Sequence, residues 1–274
     1  MPSRIETIAV LIDSRLKMTR GAFLRRIVED FWRGKGRRVK VHAPYEKAPA
    51  GVDAAIVHVD LTHIPPVFGE CAALYPVALN GQVRDISKRR ICTTLVGPDD
   101  SYVGPVMVKT DLNHRGKIEQ RFRGYVPPDL SWVLPTGAYR VFDRKRDVPS
   151  RVWSEPALVV QRLHVQRIGD RYQLNQWFFL GDRDIVSVWE GSEPYVKRET
   201  VLHRPPFSYE VPDAIRRRRA ELGFDYGKFD YVIEDGEAVL LDANMTPDNG
   251  GAIDNERCAI ICETLAAGID AFAR

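Results

Sequence analysis

KFDYVIEDGEAVLLDANMTP, residues 228–247, is the stretch on which the fold turns. Two apolar-alternating runs flank Asp235-Gly236, a dipeptide suited to the positive φ angles of a tight hairpin turn. Two registers compete. A two-residue loop pairs Phe229 with Asp242 and sends Asp230 and Asp242 to opposite faces. A three-residue loop, Glu234-Asp235-Gly236 with the glycine in a left-handed bulge, pairs Phe229 with Leu241 and Tyr231 with Val239. It gathers Lys228, Asp230, Asp242 and Asn244 on the other face. Because side chains alternate along a strand, a slip of one residue exchanges the faces. Apolar matching favours the three-residue loop. Two carboxylates and an amide carbonyl then stand together, and these are the oxygen ligands a hard divalent cation takes. Acidic residues at strand ends are also ordinary solvated residues, so the upstream sequence has to decide between the two meanings.

Composition narrows the field. The chain has 274 residues, 44% hydrophobic and 28% charged, enough for a large core and more than one subdomain. A net charge of +3 argues against nucleic acid as the main partner, since such proteins concentrate basic charge on one face. The run Arg216–Arg219 falls in a helical pattern, DAIRRRRAELG, and reads as a solvated face. No stretch approaches the ~18 consecutive apolar residues of a membrane span. The start, MPSRIETIAVLID, leads into a strand without a secretory pattern. Cys71, Cys92, Cys258 and Cys262 lack zinc-site spacing and read as structural thiols. A cytoplasmic protein is expected, and a homodimer is compatible with the sequence without being required by it.

Hydrophobic periodicity places the elements. Strands are expected at 7–13, 38–44, 54–62 and 77–80, with a helix at 21–32 and a short one within 63–76. This strand–helix–strand order describes a small parallel α/β domain. A basic helix is expected over 85–96, then a strand at 105–110 ending in lysine. A polar loop, Asp111–Gly116, leads into a helix, and 125–156 reads as irregular. Strands follow at 157–165, 171–181 and 184–191 in an antiparallel arrangement, then a loop from Arg198 to Pro206. A helix at 213–222 precedes the hairpin, and an amphipathic helix occupies 257–273. Lys88 and Lys109 are mobile point charges suited to phosphate oxygens. Backbone N–H groups of the loop ending at Gly116 suit the same anion, and His114 within it is either a γ-phosphate contact or an exposed loop histidine. After the acidic residues, Thr246, Asp248, Asn249 and Gly250 form a glycine-bearing turn whose N–H groups could receive a substrate carboxylate.

The order of these features, with LDANMTP at 241–247 as its most specific piece, resembles the ATP-grasp superfamily over nearly the whole chain. The resemblance implies a mixed α/β and α+β fold: an N-terminal α/β domain at 1–84, a central ATP-grasp subdomain at 85–156 and a C-terminal one at 157–274. It implies ATP and Mg2+ as cofactors, and activation of a carboxylate as an acyl phosphate that an amine attacks. Small-molecule kinase activity on the same fold, or nucleotide binding without catalysis, are the alternatives. By the same resemblance Lys88 and Lys109 touch the α- and β-phosphates. Gln161, Arg162, Leu163 and His164 form a hinge whose backbone contacts adenine. Asp230, Asp242 and Asn244 coordinate one or two magnesium ions, and Lys228 stabilises charge on the transferring phosphoryl group. The chain departs from the family pattern in four places: Asp242 replaces the usual glutamate, Lys228 the usual arginine, the phosphate loop has one glycine, and Val165–Arg167 carries no acidic residue for the ribose.

Overall fold

Four short strands build the first sheet: β1 (Thr7–Leu11), β2 (Arg38–His42), β3 (Ala54–Val57) and β4 (Val77–Leu79). All pairs are parallel, in the order β2-β1-β3-β4. β1 and β3 are buried along their whole length, as strands covered on both faces must be. The cover on one face is α1 (Phe23–Arg26) running into a π-helical turn, Ile27–Trp32; on the other it is α2 (Pro66–Ala72). The computed structural model describes residues 4–13, 15, 22–134, 139–248 and 256–273. Among the described residues no helix is long and apolar enough to cross a membrane.

The middle sheet is small and antiparallel. β5 (Val106–Thr110) lies between β6 (Tyr139–Phe142) and β7 (Leu158–Arg162). Its core is its own, built on Val106, Val108, Val133, Val152 and Val160. Two expectations are corrected here. The helix expected over 85–96 is only α3 (Lys88–Ile91), whose N-cap Ser87 accepts from Arg90 N. It stops because the chain beyond is extended alongside β7, with Val96 N donating to Val160 O at 2.9 Å and Arg162 N to Thr94 O at 3.0 Å. The strand expected at 157–165 joins β5, not the strands after it, since β5 would otherwise leave a buried edge unpaired. The segment 125–156 also holds β6 and α5 (Ser150–Ser154) as well as irregular chain. Between β5 and β6 lies α4 (Lys117–Arg123).

The third sheet has six strands: β8 (Gln166–Ile168), β9 (Arg171–Leu180), β10 (Arg183–Gly191), β11 (Val201–His203), β12 (Tyr226–Glu234) and β13 (Glu237–Asn244). The order is β11-β10-β9-β12-β13, with β8 also on β9. The short β11 lies inside the expected 198–206 loop. One face of this sheet packs under α6 (Asp213–Leu222), through Trp177, Phe179, Phe229 and Ile215. The other, through Phe178, Leu180, Ile185 and Tyr226, meets α7 (Glu256–Ala266) and the first sheet in a shared core. Trp32 Nε1 donates to Ala266 O at 2.8 Å and ties α1's turn to α7. The expected C-terminal helix therefore forms, ending in a 3-10 turn at Ala267–Phe272.

Backbone contact at the end of α7 is close enough to require glycine. A Cβ added to Gly268 would lie 1.8 Å from Leu180 O, the last residue of β9. Gly268→Ala is therefore expected to lower stability by roughly 1–3 kcal/mol, read as a fall in the urea midpoint with an unchanged slope. The buried core also holds a titratable ring: His58 is 6% exposed, its Nδ1 has no partner, and burial lowers its pKa to about 4. The unfolded chain takes up that proton near pH ~6.5, so the folded state is favoured above that pH and loses up to about 3 kcal/mol as pH falls towards 4. His58→Phe is expected to flatten this part of the stability–pH curve; an unaltered slope between pH 6.5 and 4.5 would remove His58 as its cause.

Candidate active site

The hairpin closes with a two-residue turn, not the three-residue loop expected. Asp235 (φ 52°) and Gly236 (φ 83°) supply the paired positive angles, and Glu234 faces Glu237. Val232 then pairs with Val239 and Tyr231 with Leu240, after which the register shifts and Asp230 pairs with Asp242. Leu241 is the extra residue. This bulge does what the three-residue loop was expected to do: Lys228, Asp230, Asp242 and Asn244 share a face, while Phe229, Tyr231 and Ala243 are buried on the other.

Lysines from two other elements meet that face. Lys88 Nζ, 5% exposed at the start of α3, lies 2.5 Å from Asp242 Oδ1. Lys109, 4% exposed on β5, donates from Nζ to Leu241 O at 3.2 Å, and Cys92 Sγ approaches the same oxygen at 3.6 Å. Lys228 Nζ pairs with Asp230 Oδ2 at 2.9 Å, which leaves Asp230 Oδ1 buried without a partner. Asn244 Oδ1 accepts from Thr246 N at 2.7 Å and Thr246 Oγ1 at 3.2 Å.

The titration shifts follow from this packing. Burial pushes the Asp230 carboxyl up, and Lys228 offsets it only in part. Burial opposes ionisation of Asp242 too, but the Lys88 charge and hydrogen bond, with Lys109 and Lys228, hold it below the usual range. Lys88 shows the mirror balance: burial lowers it, and Asp242 more than restores it. Lys109, with no carboxylate of its own, is held down by burial. Tyr139, against the same pair, is pushed up to about 12 by burial.

A cavity of about 730 Å3, counted with its mouth, separates the middle sheet from the third. Lys109, Gln161, Arg162, Leu163, His164, Asp230 and Asp242 all line it. Met107, Leu174, Val232 and Leu241 give it an apolar wall, and Tyr195 and Lys197 stand at its side. Lys88 and Lys228 adjoin it through their pairs with Asp242 and Asp230, and Asn244 stands opposite Lys228 in the ladder with its side-chain oxygen turned to Thr246. The 161–164 segment is engaged by its own surroundings: Arg162 N donates to Thr94 O and Leu163 N to Pro105 O, both at 3.0 Å. The Gln161 amide donates to Thr94 Oγ1 at 3.2 Å, and the Arg162 guanidinium covers the Tyr102 ring at 4.7 Å. Glu234, at the hairpin turn, accepts from His164 Nδ1 at 2.6 Å and from Val165 N at 3.0 Å. Sequence reasoning missed Tyr139, Lys197 and Leu241 in the cavity lining and Glu234 behind His164, because nothing local marks a residue that reaches the site from another element.

The loop before α4 turns away from this lining. His114 (φ 45°), Arg115 (φ 63°) and Gly116 (φ 70°) are consecutive left-handed residues, and a Cβ on Gly116 would press within 2.8 Å of Tyr125. Asn113 N donates to Thr62 Oγ1 at 2.9 Å, and Thr62 N to Glu119 Oε1 at 2.6 Å; Arg123 pairs with buried Asp13 at 3.0 Å. The loop is thus docked on the strand ends of the first sheet. Thr246 and Asp248 come to the same place, beside Asp60. Burial raises Asp60; His114 and the Thr246 hydroxyl pull it back, and Asp248 and Glu119 push it further up. Asn249 and Gly250 lie outside the described residues. The arginine run is not the freely solvated face expected: Arg216 pairs with Asp184, Arg218 with Glu221 and Arg90 O, and Arg219 covers Phe179 at 4.1 Å.

Among the described residues no group of three or more His, Cys, Asp or Glu is arranged to hold a metal. Two carboxylates and one amide remain, with one buried carboxylate oxygen unused. That set fits Mg2+, which keeps water and takes phosphate oxygens in addition to one or two carboxylates.

No family model and no curated protein matches the sequence. Solved structures do match. The ATP-grasp ligase PsnB, complexed with a phosphomimetic variant of its minimal precursor, Mg and ADP, aligns with a TM-score of 0.51 at 12% identity, over 97% of this chain and 99% of that one. The same ligase with its minimal precursor gives 0.50 at 12% identity, over 96% and 99%. The D-cycloserine synthetase DcsG gives 0.48 at 13%, over 96% and 99%. The fold is ATP-grasp. Within this fold, Asp230 is the member of the site whose charge its surroundings disfavour. Asp230→Asn keeps an acceptor for Lys228 and removes a buried charge, so thermal stability is expected to hold or rise, while Mg2+-dependent ATP binding drops at least about tenfold. A calorimetric titration with and without Mg2+ reads the second effect, and equal affinity in the variant would remove Asp230 as a candidate metal ligand.

Proposed function

We propose that the chain is an ATP- and Mg2+-dependent ligase that activates a carboxylate as an acyl phosphate for attack by an amine. The observation that carries this reading is the meeting of Lys88, Lys109 and Lys228 with Asp230, Asp242 and the Leu241 carbonyl at a cavity that also has an apolar wall. The base lies in the slot of Met107, Leu174, Val232 and Leu241, and the triphosphate reaches the lysines. Buried ammonium groups lose water and gain strength as phosphate partners. As the triphosphate enters, Lys88 exchanges Asp242 for phosphate oxygen, and Lys109 exchanges the Leu241 carbonyl. Asp242, Asp230 and Asn244 are then the residues that would hold Mg2+. When bound, the ion would neutralise phosphate charge and orient the γ-phosphoryl group for in-line transfer.

Lys228 stands two residues from Asp230 on the same strand and meets charge developing on the transferring group. The acceptor side of the site is the strand exit at Thr246–Asp248. Asp60 and Asp248 make it acidic, which suits the ammonium end of an amine better than the carboxylate its backbone N–H groups alone would attract. The loop held by Asn113, Glu119 and Arg123 borders this region, where an acyl phosphate would need protection from water.

The test is ADP release across panels of carboxylates and amines, with hydroxylamine to trap the acyl phosphate as a hydroxamate. Turnover is expected to need both substrates, and Asp242→Ala is expected to cut it by roughly a hundredfold or more. A stable phosphomonoester formed from a hydroxyl substrate, or ATP binding without turnover on any pair, would overturn the reading.

A further inference from the structure

The candidate site lies on a row of polar residues that continues past it across the third sheet. Asp242 pairs with Asp230, Asp230 with Gln176, and Gln176 with Ser187. Residues directly opposite one another in such a ladder share a face, so Ser187 on β10 stands on the same side as the two carboxylates. It lies two strand spacings from Asp230, about 10 Å. Trp189, two residues further along β10, shares that face and pairs with Leu174, which lines the cavity.

Two arginines sit over this end of the row. Arg257, in the first turn of α7, reaches within 3.5 Å of Ser187 Oγ, donates to Pro205 O at 3.0 Å and covers the Phe207 ring at 4.0 Å. Arg204 is exposed and lies over the Trp189 ring at 5.1 Å. Among the described residues neither guanidinium has a carboxylate partner. Their charges are near enough to act on one another: burial, and after it the Arg204 charge, hold Arg257 below its usual range. Most of the N–H donors of the pair are unused, and two cations drawn together on aromatic faces repel. A carboxylate between them removes the repulsion and takes the free donors in the paired geometry a guanidinium offers. We propose that Arg204 and Arg257 hold a carboxylate of the substrate other than the one that reacts, so that the substrate class is a dicarboxylate. One carboxylate then meets the γ-phosphoryl group beside Asp230, and the second is held along the row at Ser187 and Trp189, where it binds without reacting. The acidic region at Asp60 and Asp248 is left for the amine, so the two substrates are sorted by charge. This assignment rests on the ligase function proposed above and names the carboxylate that it leaves open.

The test is calorimetric binding to the full chain in the presence of Mg2+ and a non-hydrolysable ATP analogue. The probes are the α,ω-dicarboxylates from succinate to adipate and the monocarboxylates from butyrate to hexanoate, which carry a methyl group in place of one carboxylate. At least one dicarboxylate is expected to bind roughly tenfold or more tighter than the monocarboxylate of its own length, the worth of one charge-assisted contact. Arg257→Gln and Arg204→Gln should each remove roughly tenfold of that preference, and Arg257→Lys should restore part of it, since it keeps the charge and loses the fork. The affinity for the ATP analogue should stay the same in all three variants, which also certifies that they are folded. Equal binding of dicarboxylates and monocarboxylates, no binding of any dicarboxylate, or a preference that survives both glutamine substitutions would overturn the subsite while nucleotide binding stands. Inorganic phosphate that binds in an arginine-dependent way where dicarboxylates do not would give the pair to a phosphoryl group and overturn the substrate class. A wild type that binds no ATP analogue would overturn the ligase function itself, and this assignment with it.

Discussion

The site depends on one irregularity, the bulge at Leu241. A two-residue turn followed by a regular ladder would pair Phe229 with Asp242 and divide the two carboxylates between the faces of the sheet. The extra residue reverses the phase of β13 beyond it, so that Leu240 packs into the core, Leu241 and Asp242 both reach the cavity, and Ala243 returns to the core. The bulge also frees a carbonyl from the ladder. Leu241 O receives Lys109 Nζ and the Cys92 thiol, so the same defect that aligns the carboxylates anchors a lysine from another sheet.

Electrostatic balance follows from that placement. Lys88, Lys109 and Lys228 oppose Asp230 and Asp242 in surroundings that expose little of any of them. Two like-charged carboxylates facing across a strand pair would repel at such close quarters. The Lys88–Asp242 and Lys228–Asp230 pairs offset that repulsion, and loss of either ammonium would leave its carboxylate buried and uncompensated. Three cations against two anions leave an excess of one positive charge and one unused carboxylate oxygen, a combination that an anionic ligand carrying a cation would complete.

Much of this was legible in the residues. Period-two alternation and Asp-Gly mark the hairpin, the acidic-x-Asn ending marks its exposed end, and the positions of Lys88 and Lys109 relative to their elements point to the same cavity. The location of the bulge was not legible, for a specific reason. AVLLDAN carries adjacent leucines, and either can fill the core, so apolar matching cannot tell a bulge in the turn from one five residues after it. The extended course of 93–96 was hidden likewise: KRRICTTLV has helical spacing, and only pairing with β7 overrides it. The strand at 158–162 reads as well for one sheet as for the other, because pairing partners distant in sequence leave no local mark.

Glu234 shows how a missing feature can be supplied from elsewhere. The segment after the hinge carries no acidic residue at Val165–Arg167, yet a carboxylate is present there, brought by the turn of the hairpin. β12 therefore carries Asp230 in the cavity wall and Glu234 against His164 and Val165, four residues and about 13 Å apart at the rise of a strand. On the proposed reading, a single rigid strand fixes both the group that would meet phosphate-bound metal and a carboxylate that braces the 164–165 segment. The distance between base and phosphate subsites is then set by strand geometry and not by a flexible loop. A strand flanked by β9 and β13 cannot change that spacing without breaking ladders on both sides. The middle sheet, whose core is separate, meets this strand pair through Lys109 at the bulge.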